Sequence, residues 1–186
     1  MSSRRSKPGT LRPGPPDPRS STLSAEEELE NWTWCSGPVE PGPAVVVDID
    51  GVLSDAASRQ HYLEAPRRDW PAFFGACGED PVIEEIKVML DLLDAGLRVL
   101  LLTARPQRVH ELTEAWLRRY EIRWDLLVMR SWGDYDWARD FKQSALWDIR
   151  NRGFAVKLAI EDDKRNVEMF RSEGVPCIYR HSGYYD

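Results

Sequence analysis

Five short apolar runs, at residues 44–49, 97–102, 126–129, 156–160 and 177–179, are separated by stretches whose apolar residues recur at helical spacing. A run that is apolar at every position suits a strand buried on both faces, and strands of that kind are joined in parallel by crossover helices. The alternation predicts an α/β domain of three layers, with a central parallel sheet between two layers of helices. Residues 82–95 place Val82, Ile83, Ile86, Met89, Leu90 and Leu93 on one helical stripe, and Gly96 is expected as a left-handed C-terminal stop. A second helix is expected to follow Pro106, with two more over 141–151 and 166–172 ending near Gly153 and Gly174.

The domain so defined covers residues 43–186. Residues 1–42 are rich in Pro, Ser and Gly and cannot bury much surface, so a disordered tail is expected there. Ser24 with Glu27 could cap a short helix in it, bringing Trp32 and Trp34 to dock on the domain. The whole chain of 186 residues allows one domain plus this tail. A net charge of −6 argues against a protein that wraps long nucleic acid in a dominant basic field, though a local basic groove stays open. Cys35, Cys77 and Cys177 are scattered and form no CxxC pair, so neither a disulfide framework nor a zinc site is expected. Arg4, Arg5 and Lys7 are followed by Pro8 and Gly9 where a signal peptide needs an apolar stretch. The expected compartment is the cytoplasm, with no membrane association.

Residues 54–80 break the alternation. They exceed what a strand-to-helix connection needs, and long insertions at such a place are usually lids or binding loops. Tyr62, Trp70, Phe73 and Phe74 could stack on a nucleobase or form a small core that closes the loop over the sheet.

The chemistry gathers at strand ends. The run Val45, Val46, Val47, Asp48, Ile49, Asp50, Gly51, Val52, Leu53 puts two carboxylates two residues apart at the end of a buried strand, where both would face one crevice. Like charges so placed need a cation or a proton between them, which implies a hard divalent metal. Thr103 ends the second run and is followed by Arg105, a pairing suited either to a helix cap or to phosphoryl oxygens. Lys142 sits near a helix start, an odd place for a surface cation, behind Asp134, Asp136 and Asp140. Glu161, Asp162 and Asp163 close the fourth run as a second acidic cluster.

This order, an Asp-x-Asp-Gly strand end, a Thr, a Lys and an acidic strand end, resembles the haloacid dehalogenase-like (HAD) phosphatase superfamily over nearly all of the folded part. Met129, Arg130, Gly133, Asp134, Lys142, Trp147, residues 156–160 and Val167, Glu168, Met169 resemble more narrowly the 3′-phosphatase domain of phage-type polynucleotide kinase-phosphatases. The resemblance implies a three-layer Rossmann-like HAD fold with a small cap loop, acting by an aspartyl-phosphate intermediate. It implies Asp48 as nucleophile, Asp50 as acid and base, and Thr103 and Lys142 on the phosphoryl oxygens. It also implies Mg2+ held by Asp48, the Asp50 carbonyl and Asp162, with Glu161 or Asp163 ordering its waters. Arg105 and Arg130 would contact substrate phosphate, and His61 is a further candidate contact. The family commonly ends its last motif in an aspartate pair, and has Thr and Ala where this chain has Val52 and Ser54. No GxxxxGK[ST] phosphate loop is present, so a separate kinase or ligase is expected as partner.

Three functions follow from these residues. One is a magnesium-dependent phosphomonoesterase on 3′-phosphorylated nucleic-acid ends, with Arg67, Arg68, Arg105, Arg108 and Arg130 along one side of a short groove. Another is a nucleotide or small-molecule phosphatase, favoured by the acidic net charge. The third, a binding module without catalysis, has against it that every catalytic position is filled.

Overall fold

The computed structural model describes residues 29–185 apart from 65, 132, 135 and 136. Ser24, Glu27 and Asp136 lie outside the described residues. Six strands form one sheet: β1 (Trp32–Trp34), β2 (Pro43–Val47), β3 (Arg98–Pro106), β4 (Leu126–Arg130), β5 (Ala155–Glu161) and β6 (Cys177–Tyr179), in the spatial order β1-β4-β3-β2-β5-β6. All neighbours run parallel except β1, which is antiparallel to β4. The helices are α1 (Trp70–Gly75), α2 (Glu84–Leu92), α3 (His110–Arg119), α4 (Ala138–Asn151) and α5 (Lys164–Ser172).

Successive strand side chains point to opposite faces, so a run that is apolar throughout feeds two cores at once. Val46, Leu100, Leu102 and Val128 pack against Phe141, Leu146 and Phe170 of α4 and α5. Val45, Val47, Leu101 and Met129 pack on the other face against Leu90, Trp116 and Leu117 of α2 and α3. Burying each such Val or Leu contributes about 1.5–3 kcal/mol, which makes the doubly covered central strands the most firmly held part of the molecule. Their carboxyl ends are therefore fixed points on which a site can be built. No helix among the described residues is long and apolar enough to cross a membrane.

Four details depart from expectation. Packing begins before residue 43, because Trp32–Trp34 pair with β4 and bury Trp32, whose ring meets Trp34 edge-on at 5.8 Å. This short strand covers an apolar sheet edge that would otherwise be open to water. Gly96 is not a left-handed stop: Leu93 ends α2 in an extended conformation, and Gly96 N–H donates to the Asp94 carboxylate at 2.8 Å. Gly153 and Gly174 do adopt positive φ, at 90° and 76°. The second helix does follow Pro106, but Pro106 itself closes β3 and caps a 3-10 turn over Gln107–Val109, with α3 starting at His110. Finally, the insertion is a small cap of short helices, with 3-10 segments at Ala56–Leu63 and Cys77–Glu79 on either side of α1.

Candidate active site

Asp48 follows the last residue of β2, and its N–H still donates to the Ile160 carbonyl at 3.1 Å, which holds it at the carboxyl edge of the central strand. One carboxylate oxygen accepts from Ile49 N–H at 2.8 Å and the other from Lys142 Nζ at 2.9 Å. Lys142 lies beside Phe141 on the buried stripe of α4 and is only 1% exposed. Its ammonium also donates to Glu161, the last residue of β5, whose second oxygen accepts from Asn166 Nδ2 at 3.3 Å. Burial alone would lower the Lys142 pKa, but Asp48 and Glu161 hold it above its usual value, so the ammonium stays charged.

Asp48, Glu161 and Asp162 each offer an oxygen, all within 4.8 Å of one another. Among the described residues neither of the buried Asp162 oxygens accepts a hydrogen bond of good geometry, although the Ser182 hydroxyl lies close enough to lower the pKa of the group. Gly51 makes their close approach to the turn possible: its φ is 79°, and a Cβ there would lie 1.9 Å from Asp162 Oδ2. Burial, with Glu161 next, pushes the Asp48 pKa up to about 7 despite Lys142. Burial and then Asp48 push Asp162 up to about 7. A buried carboxylate without a well-aligned donor, beside two others, is a costly arrangement unless a cation meets it. Hard oxygen donors in this setting fit Mg2+.

Asp50 goes elsewhere. Its carboxylate is bound by Arg105, through Nε at 2.9 Å and Nη2 at 2.6 Å, and by Arg59. Arg59 donates in turn to Asp80 through Nε at 3.0 Å and Nη2 at 2.8 Å, and its guanidinium lies 4.1 Å from the Phe73 ring centroid. Asp80 also accepts from Ser54 Oγ, and the Arg105 fork reaches Ser54 at 3.1 Å and Thr113 at 3.3 Å. Burial would raise the Asp50 pKa, yet Arg105 and then Arg59 outweigh it and hold the group below the usual carboxylate value. The two acids of the first motif thus face different partners, because β2 ends at Val47 and the chain turns through Gly51 before the two-residue repeat of a strand can align them.

The other expected site residues divide. Thr103 is buried in β3 and accepts from Arg105 N–H at 3.2 Å, so it caps no helix. Arg105 is fully buried on Asp50 and is not a free hand for substrate phosphate. Asp163 is also occupied: it caps α5 by accepting from Arg165 N–H at 2.9 Å and pairs with the Arg165 guanidinium at 2.7 Å. Arg130 ends β4 with its guanidinium 5.5 Å from the Phe141 ring centroid. His61 is exposed on the cap, its ring 4.0 Å from that of Tyr62 and its Nδ1 2.9 Å from the Ser58 carbonyl. Of the cap aromatics Phe73 is buried and Tyr62 and Phe74 partly so, whereas Trp70 is exposed.

Sequence reasoning missed Arg59, Asp80, Ser54 and Asn166. It also gave no role to the C-terminal segment, where Arg180 binds the Gly51 carbonyl at 2.5 Å and Tyr184 donates to Asp55 at 2.6 Å, fastening that segment over the turn after Asp48. An Asp immediately before Pro81, far from any strand end, offered no local signal of burial.

Residues 42–185 match the family model described as the polynucleotide kinase PNKP phosphatase domain. The chain belongs to that family. It is a HAD-type phosphatase. Among solved structures, a chain of a Pnkp1/Rnl/Hen1 RNA repair complex is similar at 26% identity and a TM-score of 0.62, over 82% of this chain and 46% of that one. A chain from a second structure of the Pnkp1/Rnl/Hen1 complex is similar at 27% identity and a TM-score of 0.63, over 87% of this chain and 52% of its own length. The present chain therefore spans about half the length of those proteins. A Lactobacillus plantarum chain provisionally described as a phosphoglycolate phosphatase shares the fold, at 13% identity and a TM-score of 0.52 over 75% of this chain and 86% of that one.

Proposed function

We propose that this family member is a magnesium-dependent phosphomonoester hydrolase that removes 3′-phosphates from nucleic-acid ends through an aspartyl-phosphate on Asp48. The observation that carries the reading is the setting of Asp48: a buried carboxylate at the edge of the central strand, bound by Lys142, beside the Asp162 carboxylate, which has no well-aligned donor among the described residues. Asp48 attacks phosphorus, and the bond from phosphorus to the substrate's 3′-oxygen breaks as that oxygen takes a proton from Asp50. Water then attacks the same phosphorus and gives a proton to Asp50, and inorganic phosphate leaves Asp48. The arginines that keep Asp50 ionised favour the second step. In the first, the carboxyl must carry a proton and so has to turn away from Arg59 and Arg105. Lys142 and the Thr103 hydroxyl are the groups available to hold the phosphoryl oxygens. Asp48, the Asp50 carbonyl and Asp162 would hold Mg2+, which when bound offsets negative charge on those oxygens.

The family description, and the RNA repair complexes to which the similar chains belong, support a nucleic-acid end as substrate. In this reading 5′-phosphorylation and sealing fall to kinase and ligase partners. The net charge of −6 favours a second reading, a nucleotide or small-molecule phosphomonoester. Phosphate release from a 3′-phosphorylated oligonucleotide, its 5′-phosphorylated twin and the matching mononucleotides separates the two. Release from the 3′ end alone, abolished by EDTA and reduced at least about 1,000-fold by Asp48→Asn, is the expected result. Equal or faster turnover of mononucleotides would transfer the chemistry to the second reading.

A further inference from the structure

The cap carries a patch that the chemistry at Asp48 does not use. Trp70 opens α1 and is 42% exposed. Its ring stacks on Phe74 at 5.7 Å and 24° and meets Phe73 edge-on at 5.8 Å, so it is held from behind by two other rings. Arg108 reaches across from the turn before α3, donating to the Trp70 carbonyl at 3.3 Å with its guanidinium 5.9 Å from the Phe74 centroid. Arg67 and Arg68, both exposed, line a shallow cavity of about 340 Å³ with Asp69 and Pro71. Asp69, whose carboxylate caps α1 by accepting from Ala72 N–H at 3.0 Å, brings one negative charge against the two positive charges of Arg67 and Arg68 in that cavity. Among the described residues no ion pair engages Arg67, Arg68 or Arg108.

A chain of buried contacts links this patch to Asp50. Phe73, which backs Trp70, is the ring under the Arg59 guanidinium, and Arg59 is bound to Asp50. Unpaired guanidiniums around a supported, exposed indole are the two elements by which proteins hold single strands: charge along the backbone and a ring on which a base can stack. On a chain with a net charge of −6, they form a local basic surface rather than part of a general field.

We infer that Trp70, Arg67, Arg68 and Arg108 form the binding surface for the single-stranded segment immediately 5′ of the phosphorylated end, with Trp70 stacking on a base. The inference rests on the reading of the substrate as a nucleic-acid 3′ end. It makes the cap a device for recognising polymer rather than for reacting with it.

The test measures kcat and KM on a 3′-phosphorylated hexanucleotide and on a 3′-mononucleotide, in wild type, Trp70→Ala, Trp70→Phe and the double variant Arg67→Ala/Arg68→Ala. Wild type should show the lower KM on the hexanucleotide. Trp70→Ala should raise that KM about tenfold with kcat unchanged, and Trp70→Phe should restore most of the loss. The double variant should lessen the log–log salt dependence of hexanucleotide binding by about 1.4, the counterion release of two phosphate contacts on a single strand. Mononucleotide turnover should be the same in all four proteins, which also reports that the variants are folded. A wild-type preference for the hexanucleotide that all variants retain would overturn the inference and leave the 3′-phosphatase reading standing. Wild-type protein that prefers the mononucleotide, or turns over neither, would overturn both.

Discussion

Asp48 and Asp50 leave the same strand end, and each meets buried cations, but the balance of charge differs on the two sides. On the Asp48 side one ammonium, Lys142, faces the carboxylates of Asp48, Glu161 and Asp162. On the Asp50 side two guanidiniums, Arg59 and Arg105, face two carboxylates, Asp50 and Asp80. The second cluster neutralises itself and is closed by hydrogen bonds from Ser54 and to Thr113. The first has a surplus of negative charge and a carboxylate without a well-aligned donor, so it is completed only by something from outside: protons, a metal, or both. The closed cluster fixes Asp50 in place for its part in the proposed chemistry, whereas the open one is where a cation would complete the charge balance.

That contrast is broken most directly by removing one cation from each side. Arg59→Met leaves Arg105 alone to face both Asp50 and Asp80, one buried negative charge in excess, and should cost about 3–5 kcal/mol in urea unfolding. Lys142→Met should cost less in the presence of magnesium, because the carboxylates it leaves behind are the ones that would meet the ion. Its larger effect should be on turnover, a fall of about 100- to 1,000-fold in kcat from the loss of one donor to the phosphoryl oxygens. The opposite ranking, with Lys142→Met unfolding the protein and Arg59→Met leaving its stability intact, would reverse the assignment of the two clusters.

The open cluster was far more legible in the sequence than the closed one. Asp48, Glu161 and Asp162 end apolar runs, and a buried parallel strand presents its carboxyl end to a crevice, so pattern alone brought them together. Lys142 was singled out as a cation at a helix start; α4 in fact begins at Ala138, and Lys142 lies a turn further in on its buried face. Arg59 and Asp80 lie in an insertion with no periodicity and pair across 21 residues, and arginine is so rarely buried that composition points the wrong way. Arg105 was singled out as a phosphate-type cation, and the anion it meets in the structure is the Asp50 carboxylate. The same insertion hid its helices, because α1 is only six residues long and is set by the Asp69 cap and Pro71 rather than by an apolar stripe.

The surplus charge also sets a pH dependence. Burial and repulsion from neighbouring carboxylates push Asp48 and Asp162 up to about 7 in the folded protein, against an ordinary value of 3.8. Between those values the folded state binds more protons than the unfolded one, so in EDTA stability should fall as pH rises from 5 to 8. A metal ion must displace the same protons, so magnesium should raise the melting temperature more at pH 8 than at pH 6. A difference of about 1–2 kcal/mol, or roughly 3–6 °C for a chain of this length, is expected by thermal denaturation. Asp50 contributes with the opposite sign: its depressed pKa adds stability that is present above the unfolded value and lost as pH falls through the folded one. Magnesium stabilisation that is equal at the two pH values would show that the Asp48 cluster holds no protons for the ion to displace.

The smallest effect concerns where the open cluster ends. Spacing in the sequence left Glu161, Asp162 and Asp163 as alternative ligands, and the structure separates them by what each already binds. Glu161 is committed to Lys142 and Asn166, and Asp163 to Arg165 and the first turn of α5, whereas among the described residues Asp162 has no well-aligned donor on either oxygen. Asp163→Ala removes a helix cap and an ion pair with a largely exposed arginine, so it should cost about 1 kcal/mol of stability and leave kcat and magnesium affinity near wild type. Asp162→Asn should do the reverse, keeping or raising the metal-free melting temperature by relieving repulsion from Asp48 while weakening magnesium binding, measured by titration against the thermal shift. A loss of magnesium affinity in Asp163→Ala as large as in Asp162→Asn would extend the cluster by one residue and require the α5 cap to open when the ion binds.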